Sequence, residues 1–279
     1  IPIPVIQITR EYLSKLSSMS LQELRSFAKD IAEDNSIQSM QLKGRKVLLK
    51  AAISGQARLG RNIIGIIPGS DPLLKKEAVI IGAHYDHLGE GDKTIYFGAN
   101  DNAAGVGALI ALAKAFAGME PAPKRTIVFI AFDAEEIGRM GSKHYISRPC
   151  IPIDKTHLMI NMDMIGRNES DGINAVGTQS SKELHRIHQE LNEYVGLKIT
   201  HPSSYRLGLS DHSPFYYANV PIMYLFGGID PDYNSPEDTW DKLIPGKVEK
   251  TAKLAFVTAT EAGNRVERFV FEKKEGSEW

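Results

Sequence analysis

Four short aliphatic runs, AVIIGA (78–83), TIVFIAF (126–132), HLMINM (157–162) and VPIMYLF (220–226), limit the fold of this chain more than any other feature. Each is short and almost wholly apolar, which reads as a strand buried on both faces. Helix-compatible stretches lie between and after them, notably AAGVGALIALAKAF, SKELHRIHQELNEY and KVEKTAKLAFVTATEAGNRVERF. Strand and helix in alternation predict an α/β sandwich with a largely parallel sheet. Upstream, VLLKAAI and NIIGIIPG add two further expected strands. No fixed-period repeat or low-complexity tract competes with this reading. Residues 1–43 differ from the rest. There an extended IPIPVIQI precedes a helix in which Leu21, Leu24, Phe27, Ala28 and Ile31 share one face behind the candidate cap Ser20. The expected division is a peripheral segment at 1–43 and a main domain at 44–279. The opening IPIPVIQITREY has no initiator Met and no basic-then-apolar signal pattern, so a mature or trimmed form is expected.

Composition narrows the partners. Lys and Arg number 33 against 34 Asp and Glu, a formal charge of −1, so no broad basic field exists to hold nucleic acid. The longest apolar stretch, Gly105 to Met119, is interrupted by Lys114 and falls short of the roughly 18 residues of a membrane span. The single cysteine, Cys150, excludes an intrachain disulfide and any Cys-rich zinc module. A metal site here must use histidine and carboxylate.

All four strands run directly into polar residues at their carboxyl ends, where open α/β sheets place their ligand crevice. The first gives His84, Tyr85, Asp86 and His87; the second Asp133, Glu135 and Glu136; the third Asp163; the fourth leads into IDPDYNSPEDT. GANDNAAG adds Asp101 in a Gly-flanked loop before an apolar helix. Carboxylates crowded this way repel one another unless a cation neutralises them. Two divalent metals sharing one carboxylate would use more of the set than one, and would activate water at neutral pH. Of the paired glutamates, one can bind metal while its neighbour serves as general base.

In this order, GAHYDHLG, GANDNAAG, FDAEEIGRMGS, NMDMIGR, SDHSPF and DYNSPEDT resemble the co-catalytic di-zinc aminopeptidases, relatives of glutamate carboxypeptidase and glutaminyl cyclase. The resemblance runs from about Val47 to the last helix. It implies a zinc-exopeptidase-like three-layer α/β sandwich, with a mostly parallel mixed central sheet flanked by helices. It also implies one or two zinc ions per chain and peptide substrates with a free N-terminus. Carried over by position, His84, Asp101 and Asp163 hold one zinc, Asp101 bridges, Glu136 binds the second ion and Glu135 is the general base. Asp86 orients His84 through its other ring nitrogen, and Tyr233 stabilises the oxyanion. Relatives of this kind are usually exported, and residues 1–43 resemble the tail of a protease-associated insert.

The chain departs from the pattern at one ligand. The family's final histidine, in a DYHxPxDT motif, is Asn234 here, and no histidine follows His212. An asparagine amide oxygen is neutral and hard, so the second zinc is expected to bind more weakly. The expected replacements are Asn234 itself through its oxygen, then Asp230 or Asp232, and last His212; no neighbouring histidine is expected to take the role. This loss motivates one alternative, a non-catalytic binding domain on the same fold. A second, a glutaminyl cyclase whose single zinc would tolerate a damaged site, is disfavoured because that class also requires the histidine missing at 234 and because IGRMGS after Glu136 resembles the peptidases.

Blander readings compete for most of these residues. Alone, His84 reads as a hydrogen-bonded histidine, Asp101 as an Asx turn or cap, and Glu135 with Glu136 as a solvated first helical turn. Convergence at strand ends favours the metal reading. His185 and His188, at i and i+3, fall in an amphipathic pattern and are expected to be solvated. GANDNAAGVG lacks the residues of a phosphate loop, and no GxSxG marks a serine nucleophile. Tyr205, Arg206, Leu207 and Phe215 are the expected substrate-pocket walls.

Overall fold

A computed structural model describes residues 8–34, 44, 59–91, 93–202 and 208–272, with side chains from 30 to 34 outside that description. VLLKAAI, the opening IPIPVIQ, and Tyr205, Arg206 and Leu207 lie outside the described residues. The chain divides into two compact units, 1–57 and 58–279.

The first unit contains α1 (Arg10–Ser17) and α2 (Leu21–Asp34). Ser20 caps α2 reciprocally: its hydroxyl accepts from the Glu23 N–H at 3.2 Å, and the Glu23 carboxylate accepts from the Ser20 N–H at 2.7 Å. This capping box satisfies two amides that have no partner within the helix.

In the second unit, β1 (Ile63–Ile67), β2 (Ala78–His84), β5 (Thr126–Phe132), β6 (Thr156–Asp163), β7 (Gly172–Val176), β8 (Lys198–Thr200) and β9 (Ile222–Phe226) form one sheet. Its order is β1-β5-β2-β6-β9-β7-β8, and a separate ribbon pairs β3 (Gly89–Gly91) with β4 (Thr94–Tyr96). Pairs β5·β2, β2·β6, β6·β9 and β7·β8 are parallel, while β1·β5 and β7·β9 are antiparallel. The sheet is therefore mixed and mostly parallel, as expected. Strand β9 begins at Ile222, two residues later than the apolar run, because Pro221 has no N–H for the ladder.

Alternate side chains enter opposite cores, as the two-residue strand repeat requires. Val79, Ile81, Phe129, Ile160 and Leu225 pack with α3 (Ala104–Ala117), α5 (Lys182–Asn192) and α7 (Pro245–Asn264). Ile80, Val128, Ile130, Met159 and Tyr224 face the other way, towards Tyr145 of α4 (Met140–Ser147) and Phe215 of α6 (His212–Tyr217). Two cores on one sheet make the three layers.

The chain runs from β2 outward to β5, then returns across β2 to β6, so β2 marks the point where the winding reverses. Parallel strands diverging to opposite faces leave a crevice at their carboxyl ends. Here those ends are His84 and Asp163.

Candidate metal centre

His84 and Asp163 close their strands side by side, with Nε2 of the histidine 3.2 Å from Asp163 Oδ1. Asp101 Oδ1 lies 3.3 Å from the same nitrogen. All three residues are buried.

Asp101 is brought there by its neighbours in NDN, the irregular turn Ala99–Ala103 that leads into α3. Asn100 accepts from the Gly166 N–H at 2.7 Å and donates to Asp230 at 2.8 Å. Asn102 donates to the Met162 carbonyl at 2.9 Å and accepts from the Gly105 N–H at 3.2 Å. The two asparagines thus fix the turn from below. Asp238, from the DYNSPEDT segment, accepts the backbone N–H groups of Asn100 and Asp101 at 2.9 and 3.1 Å. Gly105 is required by close approach, since a Cβ there would lie 2.3 Å from Asn102 Oδ1 and 2.7 Å from the Met162 carbonyl oxygen.

Beyond β5 the backbone turns at Ala134, with φ of 58°, and presents Glu135 and Glu136. Asp86 holds this turn, its carboxylate accepting the Glu135 N–H at 3.0 Å and the Glu136 N–H at 3.2 Å. Asp86 also lies against the other ring nitrogen of His84. Its main-chain carbonyl, 3.0 Å from His84 Nδ1, orients the imidazole, while its carboxylate stands 3.7 Å away and anchors the glutamate turn.

A second group lies against the first. His87 Nδ1 is 2.8 Å from Glu136 Oε1, and His87, Asp101 and Glu136 offer ligand atoms within 4.8 Å of one another. His87 thus stands beside Glu136 and Asp101, a histidine not counted among the expected replacements. His87 Nε2 is buried and has no hydrogen-bond partner among the described residues. Gly98 makes the room, because a Cβ there would sit 2.6 Å from His87 Cγ. Asn234 is exposed and lies against Tyr233 at the rim. Asp230 and Asp232 are engaged elsewhere: Asp230 accepts from Asn100, and Asp232 pairs with Arg167 at 2.7 Å and Lys242 at 2.9 Å. His212 stacks on Tyr224 at 4.1 Å within the core. Phe215 is likewise corrected from pocket wall to core, packed against Phe132 and Tyr145.

The electrostatics follow from crowding. Burial pushes the Glu135 carboxyl up to about 8, with the charges of Asp163, Asp211 and Glu136 adding to it and His84 opposing. Burial also raises Asp101 to about 6. Burial alone would lower the His84 imidazole, but Asp163, Asp101 and Asp86 outweigh it and hold its pKa well above the usual histidine range. Tyr233, at the rim, is raised by partial burial and by the charges of Asp101, Glu136 and Asp163. A divalent cation would replace the protons that these groups otherwise retain. Hard carboxylates with one imidazole in each group, and an orphaned buried ring nitrogen, fit zinc.

Fold and side-chain set together define the class of zinc-exopeptidase-like α/β sandwiches. The profile described as Peptidase family M28 matches residues 62–259. The chain belongs to that family. It is 28% identical over 215 residues to aminopeptidase YwaD of Bacillus subtilis strain 168, an alignment covering 72% of this chain and 44% of that protein. The crystal structure of a peptidase M28 precursor from Shewanella amazonensis SB2B superposes with a TM-score of 0.63 at 28% identity, covering 76% of this chain and 47% of that one. BSAP, a zinc aminopeptidase from Bacillus subtilis, shares the fold with a TM-score of 0.61 at 24% identity, over 76% of this chain and 53% of that one. This chain spans about half the length of the curated relatives it matches.

Proposed function

We propose that this chain is a zinc-dependent aminopeptidase that hydrolyses the first peptide bond of substrates with a free N-terminus. The observation that carries the reading is the sharing of Asp101 between two ligand groups, His84–Asp101–Asp163 and His87–Asp101–Glu136. One carboxylate common to two sites is the arrangement of a two-metal hydrolase. When bound, zinc supplies the positive charge that activates water near pH 7 and polarises the scissile carbonyl.

The chain's own groups do the rest. Glu135, half-buried and set beside the ligands by the Asp86-anchored turn, takes the proton of the attacking water and delivers it to the leaving amine. Tyr233 donates its hydroxyl proton in a hydrogen bond to the developing oxyanion. Asp163 and Asp101 keep His84 in place, and the Asp86 carbonyl fixes which of its ring nitrogens carries the proton.

Turnover of an aminoacyl anilide, read beside metal content, tests the reading. Glu135→Gln is expected to lower kcat by roughly 10²- to 10⁴-fold while bound zinc stays unchanged. Near-native turnover in that variant would remove Glu135 from the chemistry. No turnover by the wild-type chain, with less than one zinc per chain, would instead make it a non-catalytic binding domain on the peptidase fold.

A further inference from the structure

Three histidines that play no part in the carboxylate centre converge beside β8, the edge strand of the sheet. His185 and His188 stand three residues apart on α5, and His201 follows β8. One ring nitrogen from each lies within 4.8 Å of the others. The ring centroids are 4.5, 5.1 and 5.2 Å apart. The expectation that His185 and His188 are solvated fails for His188, which is fully buried.

Hydrogen bonding sets the chemistry of this cluster. His188 Nδ1 is 3.1 Å from the Leu184 carbonyl oxygen. A carbonyl can only accept, so Nδ1 carries the proton and Nε2 presents its lone pair. That lone pair faces His201 Nε2 at 2.9 Å. His185 Nδ1 is 3.0 Å from the Thr178 hydroxyl. Burial, aided by the neighbouring imidazoles, lowers His188 to about 4 and lowers His201 as well. At neutral pH these two rings are in the neutral form that binds metals.

We infer that His185, His188 and His201 form a further metal site, free of carboxylates, that takes a divalent cation of the zinc or copper class and fastens the end of β8 to α5. Three imidazoles favour such borderline cations over Ca²⁺ and Mg²⁺, which require oxygen ligands. Zinc–nitrogen bonds of about 2.0 Å place ligand nitrogens roughly 3.3 Å apart, within small ring rotations of the arrangement here. An Nδ1–H bonded to a backbone carbonyl is also how metal-binding imidazoles are oriented. The inference is independent of the aminopeptidase reading and stands or falls without it.

Copper(II) is the probe, added to the untagged full chain and read by electron paramagnetic resonance. The carboxylate centre offers each ion one imidazole, His84 or His87, so a three-nitrogen coupling pattern can come only from the histidine cluster. The expected result is that pattern, removed by excess Zn²⁺. It should vanish in both His185→Gln and His201→Gln, each retaining one copper per chain fewer after desalting. A hydrogen bond between His188 and His201 with no metal predicts one-nitrogen signals only, and that result overturns the inference, as does a three-nitrogen signal surviving both substitutions. Should either variant misfold, amide exchange at Lys198–Thr200 in the wild-type chain decides. Slowing by added Zn²⁺ supports the site, and an unchanged rate refutes it.

Discussion

At the scale of single residues, His87 changes the account of this chain most. Asn234 stands where the family's last histidine would be, and every replacement expected from the sequence was sought near that position or at His212. An imidazole stands beside Glu136 all the same, and it comes from the first strand end, three residues after His84. The motif GAHYDHLG shows both histidines but gives no sign of which points inward, since beyond β2 the regular alternation of side chains stops. Gly98, distant in sequence, decides it by leaving room for the ring. His84, Asp163 and Glu136 stand out in the sequence at or past strand ends, and Asp101 in a Gly-flanked loop before an apolar helix; nothing in the sequence marks His87 in the same way. In the two-metal reading, His87→Gln is expected to lower bound zinc from about two ions per chain to about one. Asn234→His alone should leave the content unchanged. Metal analysis after desalting checks this, and a full zinc complement in His87→Gln would place the second ion's imidazole elsewhere.

Among the elements, the central strands and long helices are readable in the sequence, while the short strands β3, β4, β7 and β8 and the fastenings between elements are not. Strands β2, β5 and β6 fall where the apolar runs lie because both faces of each are buried. Helix α7 illustrates the other case. The sequence pattern continues to Phe269, yet the helix ends at Asn264. That end is held by Arg125, at the entrance to β5 and fully buried, whose guanidinium donates to the carbonyls of Ala262, Arg265 and Val266 and pairs with Glu77 at 2.8 Å. Carbonyls at the end of a helix need such partners, and a side chain some 140 positions away supplies them here. Nothing local to either segment announces this contact. Arg125→Ala leaves Glu77 only the looser pair with Arg268 at 3.8 Å and several carbonyls unsatisfied, and should lower unfolding free energy by about 3–5 kcal/mol. Urea unfolding measures it, and a loss below about 1 kcal/mol would show that water replaces the guanidinium at no great cost.

For the whole molecule, the near-zero net charge at pH 7 means that in the first steps towards acid, while most carboxylates are still ionised, stability depends on particular buried groups more than on general repulsion. His157 is the clearest outside the metal centre. It lies fully buried in β6, stacked on Phe269 with centroids 4.7 Å apart, and both ring nitrogens lack hydrogen-bond partners among the described residues. Burial, reinforced by the positive charges of Arg125, Arg268 and Arg265, lowers its pKa to about 2. Above about pH 6.5 the ring is neutral in both folded and unfolded chains, and it contributes no pH dependence. Below that value the unfolded chain binds a proton that the folded chain refuses until about pH 2, so stability falls by about 1.4 kcal/mol per pH unit. His157→Phe keeps a ring against Phe269 and removes the titration. Between pH 6.5 and 5 the wild-type chain should therefore lose about 2 kcal/mol more than this variant. Urea unfolding of both proteins in chelator at the two pH values tests it, with contributions from the metal centre common to both. Parallel losses would mean that His157 already carries its proton in the folded chain, against both its burial and the three arginines around it.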